Sequence, residues 1–399
     1  MTAPQARAGH PSEGERLARV ALSRLSEPGE PRLAAVVAEL GAEEVYRLLG
    51  SEQDVRGVYT DVAQRLADVD PARDLERAEA LGLRFVCPGD EEWPDDALAD
   101  LASAGVAHGR GGPPLGLWLR GPLRLDEATS GSVAVVGSRS ATTYGAEVAG
   151  RIAAQLAGDG VCVVSGAAYG IDVAAHRGAL AGGGPTVAVL ACGVDRAYPA
   201  GNQAVLDHLG RHGLVVSEVP PGCAPTKLRF LSRNRLIAAL AAGTLVVEAA
   251  VRSGALSTAA WAHRLGRVLM GVPGPVTSAP SEGVHELLRR GEAHLVTTAA
   301  HVLELIGPVG SFLAPSPPGE RRRHDGLSPE HLQVLDAVPV RAPVPLSAVA
   351  RTAGLAQRTT EAALVHLVRL GLVRGGPRGW ILVAPTTRPA DPATGPGSP

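Results

Sequence analysis

Short apolar, β-branched runs alternate with amphipathic stretches through the middle of the chain. They are VAVVG at 133–137, VCVVSG at 161–166, TVAVLACG at 186–193, LVVSE at 214–218, TLVVEA at 244–249 and VLMGVPG at 268–274. A strand with one wet face alternates apolar and polar residues; these runs do not, so they predict strands buried on both faces in a parallel sheet covered by helices. The pattern from 132 to about 307 therefore predicts an α/β core, a Rossmann-like doubly wound parallel sheet.

The flanks carry other periods. LAAVVAELGAEEVYRLLG at 33–50 sets Leu33, Val36, Val37, Leu40, Val45, Leu48 and Leu49 near helical spacing, and residues 13–82 read as a small helical (SAM-like) domain. Residues 83–130, with Trp93-Pro94 and Pro113-Pro114, read as an irregular connection, so that the core unit runs from 83 to 310. The Pro- and Gly-rich stretch at 311–326 reads as a linker. Helices around SPEHLQVLDAV, LSAVARTAG and RTTEAALVHLVRLG, followed by LVRGGPRGWILV, give the order of a winged helix over 327–383. The tail at 384–399 is expected to be disordered.

Composition narrows the setting. The chain has 399 residues, 45% of them apolar, enough for more than one core. Its formal charge of -2 excludes a uniformly basic surface, so any contact with nucleic acid has to come from a local patch. Cys87, Cys162, Cys192 and Cys223 lie far apart without a C-x-x-C pair, which points to buried thiols in a reducing compartment rather than disulfides or zinc. No stretch resembles a signal peptide or a membrane span, and a cytoplasmic protein without a membrane association is expected. The 38 basic residues include a single lysine, Lys227.

Three turns after strands are rich in small residues: Gly137-Ser138-Arg139-Ser140, Ser165-Gly166-Ala167-Ala168-Tyr169-Gly170-Ile171-Asp172, and Arg252-Ser253-Gly254-Ala255-Leu256-Ser257-Thr258. In an open parallel sheet such turns meet at the carboxyl edge, where helix N-termini hold anions. Neither a G-x-G-x-x-G nor a G-x-x-x-x-G-K-[ST] pattern is present, so no nucleotide cofactor is expected. Arg139 fits a bidentate phosphate clamp, with an ion pair to Glu248 as the lesser alternative. The densest basic cluster is Lys227-Leu228-Arg229-Phe230-Leu231-Ser232-Arg233-Asn234-Arg235. Cations along a backbone with an aromatic face between them are the parts of single-strand recognition, although Phe230 could also anchor the segment and Arg233 or Arg235 pair inward. Asp172 and His176, at i and i+4, lack a third metal ligand and read as a helix cap and a satisfied histidine.

The motifs VAVVGSRSATTYG, SGAAYGIDVAAHRGAL, AVLACGVDRAYPAGN, SEVPPG, FLSRNRLIAAL and VVEAAVRSGALSTAAWA occur in this order, followed by Gly266-Arg267, Val272-Pro273-Gly274 and SEGVHELLRRGEA. This series resembles the DNA-processing DprA (Smf) family from about 85 to 310. The resemblance implies a protein that is not an enzyme: it binds and protects single-stranded DNA in natural transformation, loads the RecA recombinase and acts as a homodimer. Carried onto this chain, the family's DNA pocket falls on Gly137, Ser138, Arg139, Phe230, Arg233, Asn234 and Arg235. Lys227 and Arg229 share the basic segment, and Ser165, Gly166 and Gly170 form the neighbouring turn. Leu231 stands where the family pattern has proline, which is expected to loosen that loop.

Two other classes compete. The fold also resembles LOG-type nucleotide phosphoribohydrolases, in which Glu248 would be general acid or base and Arg139 the phosphate clamp. Those enzymes carry P-G-G-x-G-T-x-x-E, and this chain has Glu248-Ala249-Ala250-Val251-Arg252-Ser253-Gly254 instead. A transcription factor reading duplex DNA through the winged helix is the second rival.

Overall fold

The six apolar runs become consecutive parallel strands in a computed structural model that describes residues 10–52, 57, 65–66, 68–314 and 326–383. The strands, in chain order, are β1 (Leu83–Val86), β2 (Val106–Ala107), β3 (Arg110–Gly111), β4 (Leu117–Arg120), β5 (Val133–Val136) and β6 (Val163–Ser165). They continue as β7 (Thr186–Leu190), β8 (Leu214–Ser217), β9 (Gly243–Val246), β10 (Val268–Gly271) and β11 (His294–Leu295). Nine of them form one sheet in the order β1-β4-β8-β7-β6-β5-β9-β10-β11. The chain steps from β5 outward to β8, then returns to β5's other flank at β9, so the strand order reverses between β5 and β9. Crossovers leave in opposite directions there, which opens a crevice at the carboxyl ends of those two strands.

Burial on both faces explains the unbroken apolar runs. Val133 and Val135 pack with Val148, Ile152 and Leu156 of the helix Thr143–Gly158. Ala134 and Val136 face the other way, toward Leu236, Ile237 and Leu240 at the helix Lys227–Ala239 and Trp261 of the helix Ala255–Arg264. Glycine permits the close packing of Thr143–Gly158 against Ile171–Ala181: a Cβ on Gly178 would stand 2.2 Å from the Gly150 carbonyl oxygen.

One expectation changes. Residues 83–130 are not simply irregular, because β4 pairs antiparallel with β8 and β1 antiparallel with β4, extending the sheet by two strands. Their signal is short, and Phe85 and Trp118, both buried, pack with ring centroids 4.8 Å apart and planes tilted by 54°. The 33–50 stretch forms two short helices, Pro31–Leu40 and Ala42–Gly50, separated at Gly41, φ +83°. Glycine takes that left-handed conformation without a Cβ penalty.

The chain divides into two compact units, Met1–Ala314 and Pro315–Pro399. The first unit includes the N-terminal helices, which bury Leu22, Leu25, Leu33, Val36, Val45 and Leu49 among themselves. The second, as far as it is described, has helices Pro329–Ala337, Leu346–Ala353 and Gln357–Arg369, then an antiparallel pair, β12 (Val373–Gly376) and β13 (Gly379–Leu382). Val334, Val349, Leu364, Leu367 and Val373 form its core. Most of the expected linker and all of the expected tail lie outside the described residues. No helix among the described residues is long and apolar enough to cross a membrane.

Candidate nucleic-acid interface

An open cleft of about 720 Å³ lies where the β5 and β9 turns meet the helix Lys227–Ala239. Gly137, Ser138 and Arg139 form one wall. The turn is stitched on both sides, since Ser138 N–H donates to the Glu248 carbonyl at 2.7 Å and the Ser138 carbonyl accepts from Ile171 N–H at 3.1 Å. A Cβ on Gly137 would come within 2.5 Å of Ile171 Cγ1, so the turn requires glycine to sit this close.

Glu248 settles the choice that the sequence left open for Arg139. Its side chain is 1% exposed, takes hydrogen bonds from Thr142 N–H at 3.0 Å and Thr142 Oγ1 at 2.5 Å, and does not line the cleft. The carboxylate thereby occupies the N-terminus of the helix Thr143–Gly158, the place a phosphate would take. Arg139 does not pair with it; the guanidinium lies 4.7 Å over the Phe230 ring at the exposed rim. A general acid or base sealed in this way has no access to a ligand in the cleft.

The basic cluster is a helix, not a loop. Thr226 caps it by accepting from Arg229 N–H at 3.2 Å, and Leu231, with its own N–H and good helix propensity, continues it where a proline would not. The substitution at Leu231 therefore does not loosen this segment. Helical periodicity then sorts the side chains. Lys227, Phe230, Leu231, Asn234 and Ile237 face the cleft. Arg229, Ser232 and Arg235 point away, and each is committed to a partner: Arg229 pairs with Glu27 at 2.8 Å, Ser232 Oγ donates to the Pro28 carbonyl at 2.8 Å, and Arg235 pairs with Glu218 at 2.7 Å. Arg235 is fully buried and also donates to the Gly112 carbonyl at 3.0 Å. Arg229 and Arg235 are thus placed outside the cleft, bracing the helix against the N-terminal helices and the sheet.

Arg233 lies on the cleft floor, 7% exposed, and donates to the carbonyls of Gly166 at 2.6 Å and Val189 at 2.7 Å. Burial lowers its pKa, with Asp172 opposing. Gly166 makes this possible: a Cβ there would fall 1.8 Å from an Arg233 guanidinium nitrogen. Ser165, fully buried, donates to the Val135 carbonyl at 2.6 Å. Gly170, φ +78°, approaches the Ser138 carbonyl so closely that a Cβ would stand 2.2 Å away. Ser165, Gly166 and Gly170 therefore shape the cleft from below without lining it.

Asp172 and His176 also differ from expectation. Gly170, not Asp172, caps the helix Ile171–Ala181; Asp172 is in its first turn, 5% exposed, accepting from Ala168 N–H at 3.4 Å. Burial raises its pKa, while Arg233 opposes the shift. His176 is only half satisfied: Nδ1 meets Thr186 Oγ1 at 2.8 Å and Nε2 has no partner. Burial first, then Arg233, pushes its pKa down to about 3, so the ring is neutral. Among the described residues no group of three or more His, Cys, Asp or Glu side chains is placed to hold a metal ion.

Tyr198 was not singled out in the sequence, and Arg252 stood in the third small-residue turn but outside the DNA-binding set. Tyr198, 44% exposed, stands with its ring centroid 5.7 Å from that of Phe230. Since Arg139 already covers Phe230, Tyr198 supplies the more accessible aromatic face. Arg252, exposed beside the N-terminus of the helix Ala255–Arg264, adds a third rim cation to Arg139 and Lys227. The signal for Tyr198 was its place in a fourth turn at the same sheet edge, after β7, in a chain with only 3% aromatic residues.

A doubly wound sheet with a cation- and aromatic-lined cleft at its switch point defines a Rossmann-like α/β binding protein for anionic, ring-bearing ligands. Residues 84–307 match the family model described as DNA recombination-mediator protein A. A DprA protein of Mycobacterium tuberculosis is 46% identical over 364 residues, 89% of this chain and 92% of that protein. The DNA processing protein DprA of Streptococcus pneumoniae is 42% identical over 190 residues, 48% of this chain and 66% of that protein. The X-ray structure of the Streptococcus pneumoniae DprA superimposes with a TM-score of 0.60 at 29% identity, covering 74% of this chain and 99% of the other. The chain belongs to the DprA/Smf family of DNA-processing proteins.

Proposed function

We propose that this protein binds single-stranded DNA in the β5–β9 cleft, shields it, and hands it to the RecA recombinase during natural transformation, working as a cytoplasmic homodimer. The observation that carries the DNA reading is the convergence of Arg139, Lys227 and Arg252 around the Tyr198–Phe230 pair in one open cleft. Exposed cations neutralise successive phosphates while an aromatic face takes bases of any sequence, which suits a single strand. Family membership supports the RecA hand-over, the dimer and the role in transformation. The three helices and hairpin of 327–383 fit a winged-helix module.

In this reading Ser138 and the N-terminus of Ala255–Arg264 receive a phosphate with Arg139, and Lys227 meets the next. Gly137, Asn234 and Arg233 keep the wall and floor in place; Asn234 Oδ1 accepts from Arg233 Nε at 3.2 Å and its amide donates to the Gly254 carbonyl at 3.3 Å. A gel-shift titration with single- and double-stranded DNA of equal length, with and without RecA, tests the assignment. Tight binding to the single strand, weakened in an Arg139→Ala, Lys227→Ala double variant that folds normally, is expected. Full affinity in that variant, or equal affinity for duplex, overturns it. The same titration reads the hand-over as faster RecA filament formation on protein-coated strands.

A further inference from the structure

Among the described residues the largely exposed aromatic rings are Tyr144, Tyr169, Tyr198 and Phe312. The first three follow β5, β6 and β7 in turn, at the same sheet edge as the cleft. Two of these have a place. Tyr198 belongs to the cleft beside Phe230, and the Tyr144 hydroxyl donates to the Pro273 carbonyl at 2.6 Å, bracing the segments that follow β5 and β10. Tyr169, 51% exposed, neither lines the cleft nor makes a hydrogen bond among the described residues.

The fold nevertheless holds this ring in a fixed position. Ala167, two residues earlier and buried, has φ +53°, a left-handed conformation that an alanine keeps only where its surroundings enforce it. The enforcement comes from the segment after β7, where buried Asn202 donates its amide to the Ala167 carbonyl at 2.9 Å. Tyr169 crosses to the same segment: a Cβ on Gly201 would stand 2.9 Å from its hydroxyl oxygen and 3.1 Å from its Cε1, so the ring lies against bare backbone. The cleft is next to it, since Ala168 lines the cleft and a Cβ on Gly170 would come within 2.7 Å of the Arg139 carbonyl oxygen. A ring already immobilised loses little freedom when a ligand covers it.

Resting on the single-strand reading above, we propose that Tyr169 is a second stacking platform, outside the cleft, which takes a base of the strand as it leaves the cleft over the segments that follow β6 and β7. The platform is uncharged and accepts any base, so it adds affinity without releasing counterions and without reading sequence. Arg139, Lys227 and Arg252 take about three phosphates, so strands of about four nucleotides fill the cleft alone and longer ones reach Tyr169.

The test is fluorescence anisotropy with labelled dT strands from about 4 to about 12 nucleotides long. In the wild type, affinity rises about tenfold as the strand grows past the length that fills the cleft, the scale of one stacked base. In Tyr169→Ala that rise is lost, the shortest strands bind as in the wild type, and the dependence of affinity on salt is unchanged. Tyr169→Phe keeps the rise, because the ring and not the hydroxyl makes the contact. Tyr169→Trp keeps it too and gains an emission that the longer strands quench and the shortest do not. Equal weakening at every length shows that Tyr169 only shapes the cleft and overturns the proposal, as does a full rise with length in folded Tyr169→Ala. No binding of any strand by the wild type overturns the single-strand reading itself.

Discussion

The salt dependence of single-strand binding distinguishes the cations that the structure leaves free from those it has already paired. Five cations in the two segments, Arg139, Lys227, Arg229, Arg233 and Arg235, would each release a counterion if all met phosphates, giving a slope of log affinity against log salt of about −3.5. The structure commits Arg229 to Glu27, Arg235 to Glu218 and Arg233 to two backbone carbonyls, and adds exposed Arg252. With Arg139, Lys227 and Arg252 as the contacts, the slope is about −2, so raising salt from about 50 to about 200 mM weakens binding about 20-fold instead of more than about 100-fold. Fluorescence anisotropy with a labelled oligonucleotide long enough for one cleft measures it. Lys227→Ala should flatten the slope by about 0.7, the share of one phosphate contact on a single strand, and Arg229→Ala should leave it unchanged. A wild-type slope near −3.5, or a fall of a full unit in Arg229→Ala, would refute this division of the cations.

Three further outcomes follow from the same geometry. Arg235→Ala removes one partner of a buried ion pair and leaves Glu218 uncompensated, so urea unfolding should show a loss of about 3–5 kcal/mol; a loss under about 1 kcal/mol contradicts the bracing role. His176, pushed down to about 3 from 6.5, binds its proton only in the unfolded chain between those values. Its contribution to stability is present above pH 6.5 and is lost as pH falls toward 3, at about 1.4 kcal/mol per pH unit, so the stability difference between pH 7 and pH 5 should shrink in His176→Gln. Cys87 and Cys162 are pushed up to about 12 and Cys192 to about 11, in each case chiefly by burial, while Cys223 is partly exposed. A thiol reagent should modify Cys223 first in the native protein and the other three only on unfolding; rapid native reaction of all four contradicts the packing.

The local pattern of the chain determined the sheet. A run such as Val133–Val136 is apolar at every position because both of its faces are covered, and that burial is written in four consecutive residues. The Gly137-Ser138-Arg139 turn was legible for the same reason, since a strand end, a glycine and a helix start are neighbours in sequence. The two outer strands β1 and β4 were not, because their pairing depends on β8, about a hundred residues on from β4. Nor could the chain's order of letters assign the basic cluster. Lys227, Arg229, Arg233 and Arg235 look alike in sequence, and only the helical period together with partners contributed by remote segments separates them. Glu27 lies about two hundred residues before Arg229, and Tyr198 reaches Phe230 from the turn of another strand. Tertiary structure decided which charges remain free, because a charge is neutralised by whatever the fold brings beside it, not by its neighbours along the chain.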